Sequence, residues 1–425
     1  MARLSKGSLY RQSSCGAAYT LKIHSHSSQG GQAAPKRVCM IAYTRYQFDG
    51  RVRLEAESLV GWGYQVLFLV PRSGQTATTF ALQGVTVKEL NVEEYGGKNK
   101  LRYILSYLMF LGLAFVACTR LYFQSGIDVV HIHNMPNILV FAALIPRLFG
   151  CKLILDVHDT IPETYVAKFG TNSRLVLSLC RLEERVCCSL AHKIIATNHV
   201  QRETLINRDI PASKIATVIT MPKFLPCKHS SNNHKQAQGF RMVNHGTISQ
   251  RLGNDLLIRA AAKLVHEIPG FELHIIGAGD SLDSVVCLSE SLGLTDHVHF
   301  HPTVPWDKLP ETLAMMDVGI VANRVNIATE LMLPLKLIDY VVLGIPAIAP
   351  RLKTIEYYFS PDLVTFFEPE NVDSMVAATV GLYRDKQRRE RQPQIAKSFL
   401  NKYGWDNPKH GLRELYDDLC LNCGS

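Results

Sequence analysis

The sequence predicts an α/β protein of two doubly wound domains facing each other across a deep cleft. Three observations carry that expectation. A chain of 425 residues exceeds what one ordinary hydrophobic core supports. Short runs rich in Val, Ile and Leu alternate with longer helical stretches, the order that builds parallel sheets. A polar, aperiodic stretch at 223–238, KFLPCKHSSNNHKQAQ, separates two such series. The expected divisions are a disordered basic tail at 1–36, an N-terminal domain at 37–222, the linker at 223–238, a C-terminal domain at 239–400, and a last helix and tail at 401–425.

Bulk composition narrows the function classes. The chain is 47% hydrophobic and 20% charged, as soluble globular proteins are. Lys plus Arg is 46 and Asp plus Glu is 37, a net charge of +9. No acidic residue precedes Asp49, whereas Arg3, Lys6, Arg11, Lys22, Lys36, Arg37 and Arg45 do. The excess is therefore largely a property of the tail, and no nucleic acid partner is expected. An anionic substrate or an anionic membrane surface explains a mildly basic chain equally well. The tail lacks the apolar core of a secretory signal; a flexible extension and an organelle transit peptide both fit it. Cys39, Cys118, Cys180 and Cys187 sit in apolar runs, as buried free thiols do. Cys420 and Cys423 form a lone CxxC with no second pair, which argues against zinc. The eleven cysteines fit a reducing compartment, and a cytoplasmic location is expected.

In the first domain, Val38–Tyr43 and Val66–Val70 read as buried strands with a helix, Arg51–Leu59, between them. The loop from Thr44 to Gly50 lies at the carboxyl end of the first strand, where such folds bind ligands. Arg45, Asp49, Gly50 and Arg51 are candidate acceptor-side residues there, or simply solvate a loop. Tyr103–Thr119 contains no charged residue and nears the minimum length of a membrane span. A buried helix of the first domain is the favoured reading; an interfacial helix touching the bilayer is the second. Ile127–His133 and Lys152–Val157 read as parallel strands joined by a crossover helix, Met135–Phe149. The second strand runs into Asp156-Val157-His158-Asp159. This places His158 and Asp159 just past a strand end facing the cleft. Lys193–Thr197 is a further strand, and a helix starts near Gln201.

The second domain opens with strand Arg241–His245, running into Gly246-Thr247-Ile248-Ser249-Gln250-Arg251 and then a helix, Asn254–His266. Gly246 lets the backbone approach a ligand closely, and Arg251 offers a planar fork of donors suited to a diphosphate. Glu272–Ile276, Val298–Phe300 and Asp317–Val321 are strands, and Trp306–Met316 is a helix. The key stretch is 330–349, ELMLPLKLIDYVVLGIPAIA. Pro334 fits the first position of a helix. The amides of Leu335 and Lys336 then lack intrahelical acceptors, and such a helix start attracts phosphate. Lys336 adds positive charge where helix stability alone disfavours it. Asp339 and Tyr340 share its face. Gly344 and Pro346 end the helix, and Ala347–Ala349 forms a strand.

This stretch resembles the donor-site signature of the retaining glycosyltransferases of family four, the glycosyl transferases of group 1. Within that family it is similar to a variant with Pro-x-Lys-x-x-Glu-Tyr before a Gly-x-Pro turn. Asp339 stands at the family's second glutamate. Leu331 stands at the spacing of the first, with Glu330 beside it. The resemblance spans roughly residues 38–400 and includes the glycine loop and arginine at 246–251, though the lysine that usually follows is replaced by Gly253 and Asn254.

The resemblance implies a GT-B fold of two Rossmann-like domains. It implies transfer of a sugar, with retention, from a nucleoside diphosphate sugar to a hydroxyl acceptor, a glycan or lipid-linked saccharide. It assigns His158, Glu330 and Arg251 to catalysis, and Gly246, Thr247, Arg251, Lys336 and Asp339 to the donor. Arg45, Asp49, Gly50 and Asp159 go to the acceptor. The sequence contains no Asp-x-Asp pair to hold a metal on the diphosphate. No metal and no cofactor are therefore expected beyond the nucleotide sugar as co-substrate. A peripheral contact with the inner face of a membrane fits the apolar 103–119 helix and the basic tail. A sugar-nucleotide 2-epimerase, a non-catalytic binding protein and, remotely, a dinucleotide-dependent oxidoreductase are the rival readings.

Overall fold

The computed structural model describes residues 36–95, 100–170, 173–222, 239–405, 407 and 411–421. Residues 1–35 of the tail expected at 1–36, the linker at 223–238 and Cys423 lie outside the described residues.

Two sheets organise the chain. The first takes β1 (Arg37–Ile41), β2 (Gln65–Arg72), β3 (Thr79–Leu82), β4 (Val85–Glu93), β5 (Val129–His133), β6 (Lys152–Val157), β7 (Lys193–Ala196) and β8 (Ile215–Thr217). Their spatial order is β3-β4-β2-β1-β5-β6-β7-β8, parallel except for β3 against β4. The second sheet takes β9 (Phe240–His245), β10 (Phe271–Ile276), β11 (Val298–His301), β12 (Val318–Ile320), β13 (Ala347–Pro350) and β14 (Thr365–Phe367). Its order is β11-β10-β9-β12-β13-β14. Central strands are apolar along their whole length because helices cover both faces: in β1, Val38, Cys39, Met40 and Ile41 are all buried. Strand order reverses at β1, which lies between β2 and β5, and again at β9, between β10 and β12. Both reversals leave a crevice at the strands' carboxyl ends, the default ligand position in open α/β sheets.

The helices used below are α1 (Gly50–Gly61), α2 (Lys100–Ser125), α3 (Arg174–Leu190), α4 (Asn254–Glu267), α5 (Leu335–Leu343), α6 (Lys353–Tyr358) and α7 (Gly411–Leu421). α7 returns from the second domain to the first, where its Tyr416 hydroxyl lies 2.9 Å from His131 Nδ1 of β5. Nearby, Trp405 Nε1 donates to Ser58 Oγ of α1 at 2.8 Å. With Leu412, Leu415 and Leu419, these aromatics carry one apolar core across both domains.

Three sequence expectations need correction. Residues 135–149 are not one helix but a 3-10 stretch, Asn137–Ala143, followed by a short helix, Leu144–Leu148. Pro136 and Pro146 each remove a backbone donor there. Trp306–Met316 is likewise shorter, a 3-10 turn at Trp306–Lys308 and a helix at Leu309–Leu313. The largest correction is α2, which is not a buried helix. Ser106, Phe110, Ala114 and Cys118, every fourth residue, form the stripe that packs inward. Ile104, Leu105, Leu108, Met109, Val116 and Phe123 face outward, each at least half exposed. A helix lying on a sheet is covered on one side only, so uniform apolarity left its other side bare. By length and composition α2 is the one described helix long enough to cross a membrane.

Candidate active site between the two sheets

A cavity of about 570 Å³ opens between the carboxyl ends of the two sheets. That size suits a nucleotide sugar-sized ligand. Its walls carry Arg45, Asp49, Gly50, His158 and Asp159 from the first domain, and Gly246, Thr247, Arg251, Lys336 and Asp339 from the second. Eleven of the twelve residues singled out from sequence, Arg51 among them, thus line one cavity, and Glu330 does not.

On the second-domain wall, α5 starts one residue later than expected: Pro334 is its N-cap and Leu335 its first residue. The helix ends on Gly344 at φ 73°. Leu337 N–H bonds back to the Pro334 carbonyl, so the amides of Leu335 and Lys336 are those left at the helix start. Lys336 Nζ donates to Asn244 Oδ1 at 2.8 Å, and Asn244 Nδ2 in turn donates to Asn254 Oδ1 at 2.9 Å. Burial pulls Lys336 down to about 8. Arg251 sits in a 3-10 turn before α4, and its Nη1 is buried without a hydrogen-bond partner. An unpaired buried guanidinium nitrogen is costly unless an anion meets it.

The absence of a lysine after Arg251 has a structural reason. Gly253 has φ 67°, and a Cβ there would stand 1.9 Å from the Ala322 carbonyl oxygen. Asn254 is buried in the bond to Asn244. Neither position admits a long side chain, while Lys336 reaches the same wall from α5.

Asp339 lies on the face of α5 that carries Lys336, 3.5 Å from His245 Nε2. Burial raises its carboxyl to about 8, and burial followed by the charge of Lys336 lowers His245 to about 3. In the free protein at neutral pH, Asp339 is thus a protonated acid beside a neutral imidazole. The folded value lies above the ordinary value of 3.8, so the folded state holds the extra proton and stability falls as pH rises from about 4 towards about 8. Asp339→Asn removes that loss. Thermal melts across this range should show the variant gaining on the wild type as pH rises, with the difference level above about 8. A variant that instead loses ground at high pH means the carboxyl is ionised when buried.

On the first-domain wall, Asp49 caps α1, accepting from Val52 N at 3.4 Å and from Thr44 Oγ1 at 3.0 Å. Arg45 pairs with Glu94 at 3.1 Å on an exposed rim. Gly50 is required by close approach: a Cβ would fall 2.2 Å from the Trp306 ring of the opposite domain. Arg53 stacks on that ring at 5.3 Å and reaches Asp307 at 3.4 Å, so this corner is one of the places where the domains touch. Trp306 was invisible as a site residue because only the fold brings it to Gly50. Arg51, an acceptor-side candidate by sequence, lines the cavity, and its guanidinium is bonded to Asp156, with Nη2 2.6 Å from Oδ1.

His158 follows β6 and is partly open to the cavity, its Nε2 2.9 Å from Asp156 Oδ2. Behind it Glu55, His131, His133 and Asp156, all buried, place possible ligand atoms within 4.8 Å of one another. Arg51 already supplies a cation inside that group, 3.5 Å from Glu55 as well as bonded to Asp156. A second cation would meet that charge at short range in a poorly screened site. Burial raises the Glu55 carboxyl well above its ordinary value, the Asp156 charge adds to the shift, and Arg51 opposes it.

Glu330 lies outside this set. Its Oε2 accepts Lys353 N–H at 2.7 Å, at the first residue of α6, and its carbonyl accepts Thr354 Oγ1 at 2.6 Å. One carboxylate oxygen thus holds a helix start, and Glu330 is not among the residues that line the cavity. The cavity edge is formed instead by Met332, Leu333, Pro334 and Leu335. The preceding Leu331 carbonyl accepts from Asn198 Nδ2 at 2.9 Å, a polar tie between the domains.

Two family models match this chain: glycosyl transferases group 1 over residues 228–399, and a glycosyl transferase 4-like domain over residues 50–219. The chain belongs to the family-four, group 1 glycosyl transferases. The two matches meet the two sheets, one each. The chain is 29% identical over 141 residues to the GDP-mannose-dependent alpha-(1-6)-phosphatidylinositol monomannoside mannosyltransferase of Mycolicibacterium smegmatis, covering 32% of this chain and 37% of that relative. The matched part is thus little more than a third of that relative's length. Among solved structures, sucrose-phosphate synthase from Thermosynechococcus elongatus superposes with TM-score 0.72 at 15% identity, over 91% of this chain and 100% of that one. HepE from Anabaena in complex with UDP-glucose gives 0.65 at 13% identity, over 91% and 99%. The fold is GT-B, two parallel-sheet α/β domains with a cleft between.

Proposed function

We propose that this glycosyl transferase family member moves a sugar from a nucleoside diphosphate sugar to the hydroxyl of a glycan or lipid-linked saccharide, with retention at the anomeric carbon and without a metal ion. The observation that carries the proposal is the unpaired, buried Nη1 of Arg251 on the same cavity wall as Lys336 and the start of α5. Two cationic groups and free amides converge where a leaving diphosphate gains charge. Asp339 faces the donor ribose, and His158 and Asp159 face the sugar and acceptor. The M. smegmatis relative is named for GDP-mannose and phosphatidylinositol monomannoside, and the HepE structure for UDP-glucose. Those names supply the first probes. The test is release of free nucleoside diphosphate from GDP-mannose or UDP-glucose in excess chelator, with and without a pool of lipid-linked and free glycans. Release that needs acceptor and survives the chelator supports the proposal. Release restored only by Mg²⁺ or Mn²⁺ refutes metal independence, and isomerised donor without acceptor points to the epimerase.

The proposal includes a place: the cytoplasm, against the inner face of a membrane. The outer side of α2 is apolar, and Phe123 and Phe149 form an edge-to-face pair there with ring centroids 5.6 Å apart, each more than 60% exposed. The segment 137–148 packs between α2 and α3. On α3, Leu175, Leu179, Leu182 and Val186 make an exposed stripe beside Arg174, Arg181 and Arg185, while Glu184 is buried. An apolar stripe flanked by arginines suits an anionic lipid surface.

A further inference from the structure

His158 is held from behind by a buried carboxylate. Asp156 and His158 are two residues apart at the end of β6, so their side chains leave the strand on one side. Asp156 Oδ1 takes Arg51 Nη2 at 2.6 Å. Asp156 Oδ2 is 3.0 Å from His133 Nδ1, 2.9 Å from His158 Nε2 and 3.3 Å from Arg51 Nε. The group is fully enclosed. Burial alone raises the Asp156 carboxyl, but Arg51 and then the two imidazoles outweigh it and hold it well below the usual range. An ionised carboxylate only accepts hydrogen bonds. His133 Nδ1 and His158 Nε2 also lie 3.2 Å from each other, but a bare nitrogen on either ring would set its lone pair against the carboxylate at 3.0 or 2.9 Å; each nitrogen facing Oδ2 is therefore assigned a proton, His158 on Nε2.

We propose that Asp156, anchored by Arg51, is a positioning residue that fixes the tautomer of His158, so that unprotonated Nδ1 is the nitrogen His158 offers to a substrate hydroxyl in the cleft. This deepens the sugar-transfer reading and rests on it only for the role of that hydroxyl. A ring free to take either tautomer presents an N–H to the same hydroxyl in part of the molecules, and the acceptor is lost there. His133 serves the same carboxylate. His131, bonded through Nδ1 to Tyr416 of α7, stacks on His133 at 4.4 Å and closes the back of the group.

Asp156→Asn separates this role from simple packing. Arg51 donates to both oxygens, but Nη2 at 2.6 Å is the closer contact against Nε at 3.3 Å and favours the amide oxygen on the Oδ1 side, so its NH2 takes the place of Oδ2. That NH2 only donates, and both imidazoles must then accept from it. His158 is forced to carry its proton on Nδ1. The experiment is long-range ¹H–¹⁵N spectroscopy of the full chain labelled with ¹⁵N-histidine, with His158→Gln to assign the signals. In the wild type, His158 should be protonated on Nε2; in Asp156→Asn, on Nδ1. Turnover of GDP-mannose or UDP-glucose in that variant should fall about tenfold or more in kcat with little change in donor KM. Arg51→Lys keeps one donor on Asp156 and should retain the wild-type tautomer.

A wild-type His158 protonated on Nδ1, or an unchanged tautomer in folded Asp156→Asn, overturns the proposal. The wild-type spectrum decides the matter even if the variant does not fold. The predicted tautomers with no turnover of either donor would instead count against the sugar-transfer reading, leaving the Asp156–His158 geometry intact.

Discussion

Arg251→Ala should lower kcat/KM by about tenfold or more, and by a larger factor than it weakens donor binding. A hydrogen bond to a charged group contributes about 1.5–3 kcal/mol, and every 1.4 kcal/mol is about tenfold. Arg251 lines the cavity, and its buried Nη1 has no hydrogen-bond partner among the described residues; the proposed partner is the diphosphate. The diphosphate gains charge as the glycosidic bond breaks, and the interaction strengthens in the transition state. Arg251→Lys should rescue only in part, because one ammonium cannot reproduce the two-pronged guanidinium. Removing Lys336 as well should cost less than the sum of the single changes if both cations grip one diphosphate, as proposed. Steady-state kinetics and donor titration of the two single variants and the double variant check this. Folded Arg251→Ala with wild-type affinity and turnover rules out the site.

Leu179→Asp combined with Leu182→Asp should abolish flotation with vesicles of phosphatidylserine and phosphatidylcholine. Both leucines are 57% exposed on α3, beside Arg181 and Arg185. Burying a leucine is worth about 1.5–3 kcal/mol, and each arginine near an anionic surface about 1 kcal/mol. Two aspartates remove the apolar term and add repulsion. The wild type should float at low salt and less at high salt, where the arginines are screened. A wild type that fails to float at either salt refutes the membrane contact and leaves the exposed leucines without a partner.

Much of the fold was legible because its signals are local. Strands buried on both faces are continuous apolar runs, and Gly344 with Pro346 ends α5 as their chemistry requires. The placement of Arg251 and Lys336 on the cavity wall was legible for the same reason: they stand in sequence beside the strand end and helix start that position them. What was missed depends on contacts between distant segments. Nothing local in Glu330 says that its carboxylate is taken by Lys353 N–H of α6. Arg51 reads as a loop cation until β6 brings Asp156 to it. The β3–β4 hairpin and the outward apolar face of α3 were also passed over. Alternating Leu and Arg look like an ordinary amphipathic helix, and only the assembled domain shows which side is inward. For α2, apolarity all round was read as burial, whereas a single stripe is covered.

The central claim is that the cleft between the sheets binds a nucleoside diphosphate through Arg251 and Lys336. Thermal melts of the wild type and of the Arg251→Ala, Lys336→Ala double variant, each with UDP, GDP, UDP-glucose and GDP-mannose, test it most directly. At about 100 times its Kd a ligand stabilises the folded state by about 2.7 kcal/mol. The wild type should melt higher with at least one of the four, and the folded double variant should show no shift with that ligand at the same concentration. No shift in the wild type with any of them, or an equal shift in the double variant, contradicts the claim.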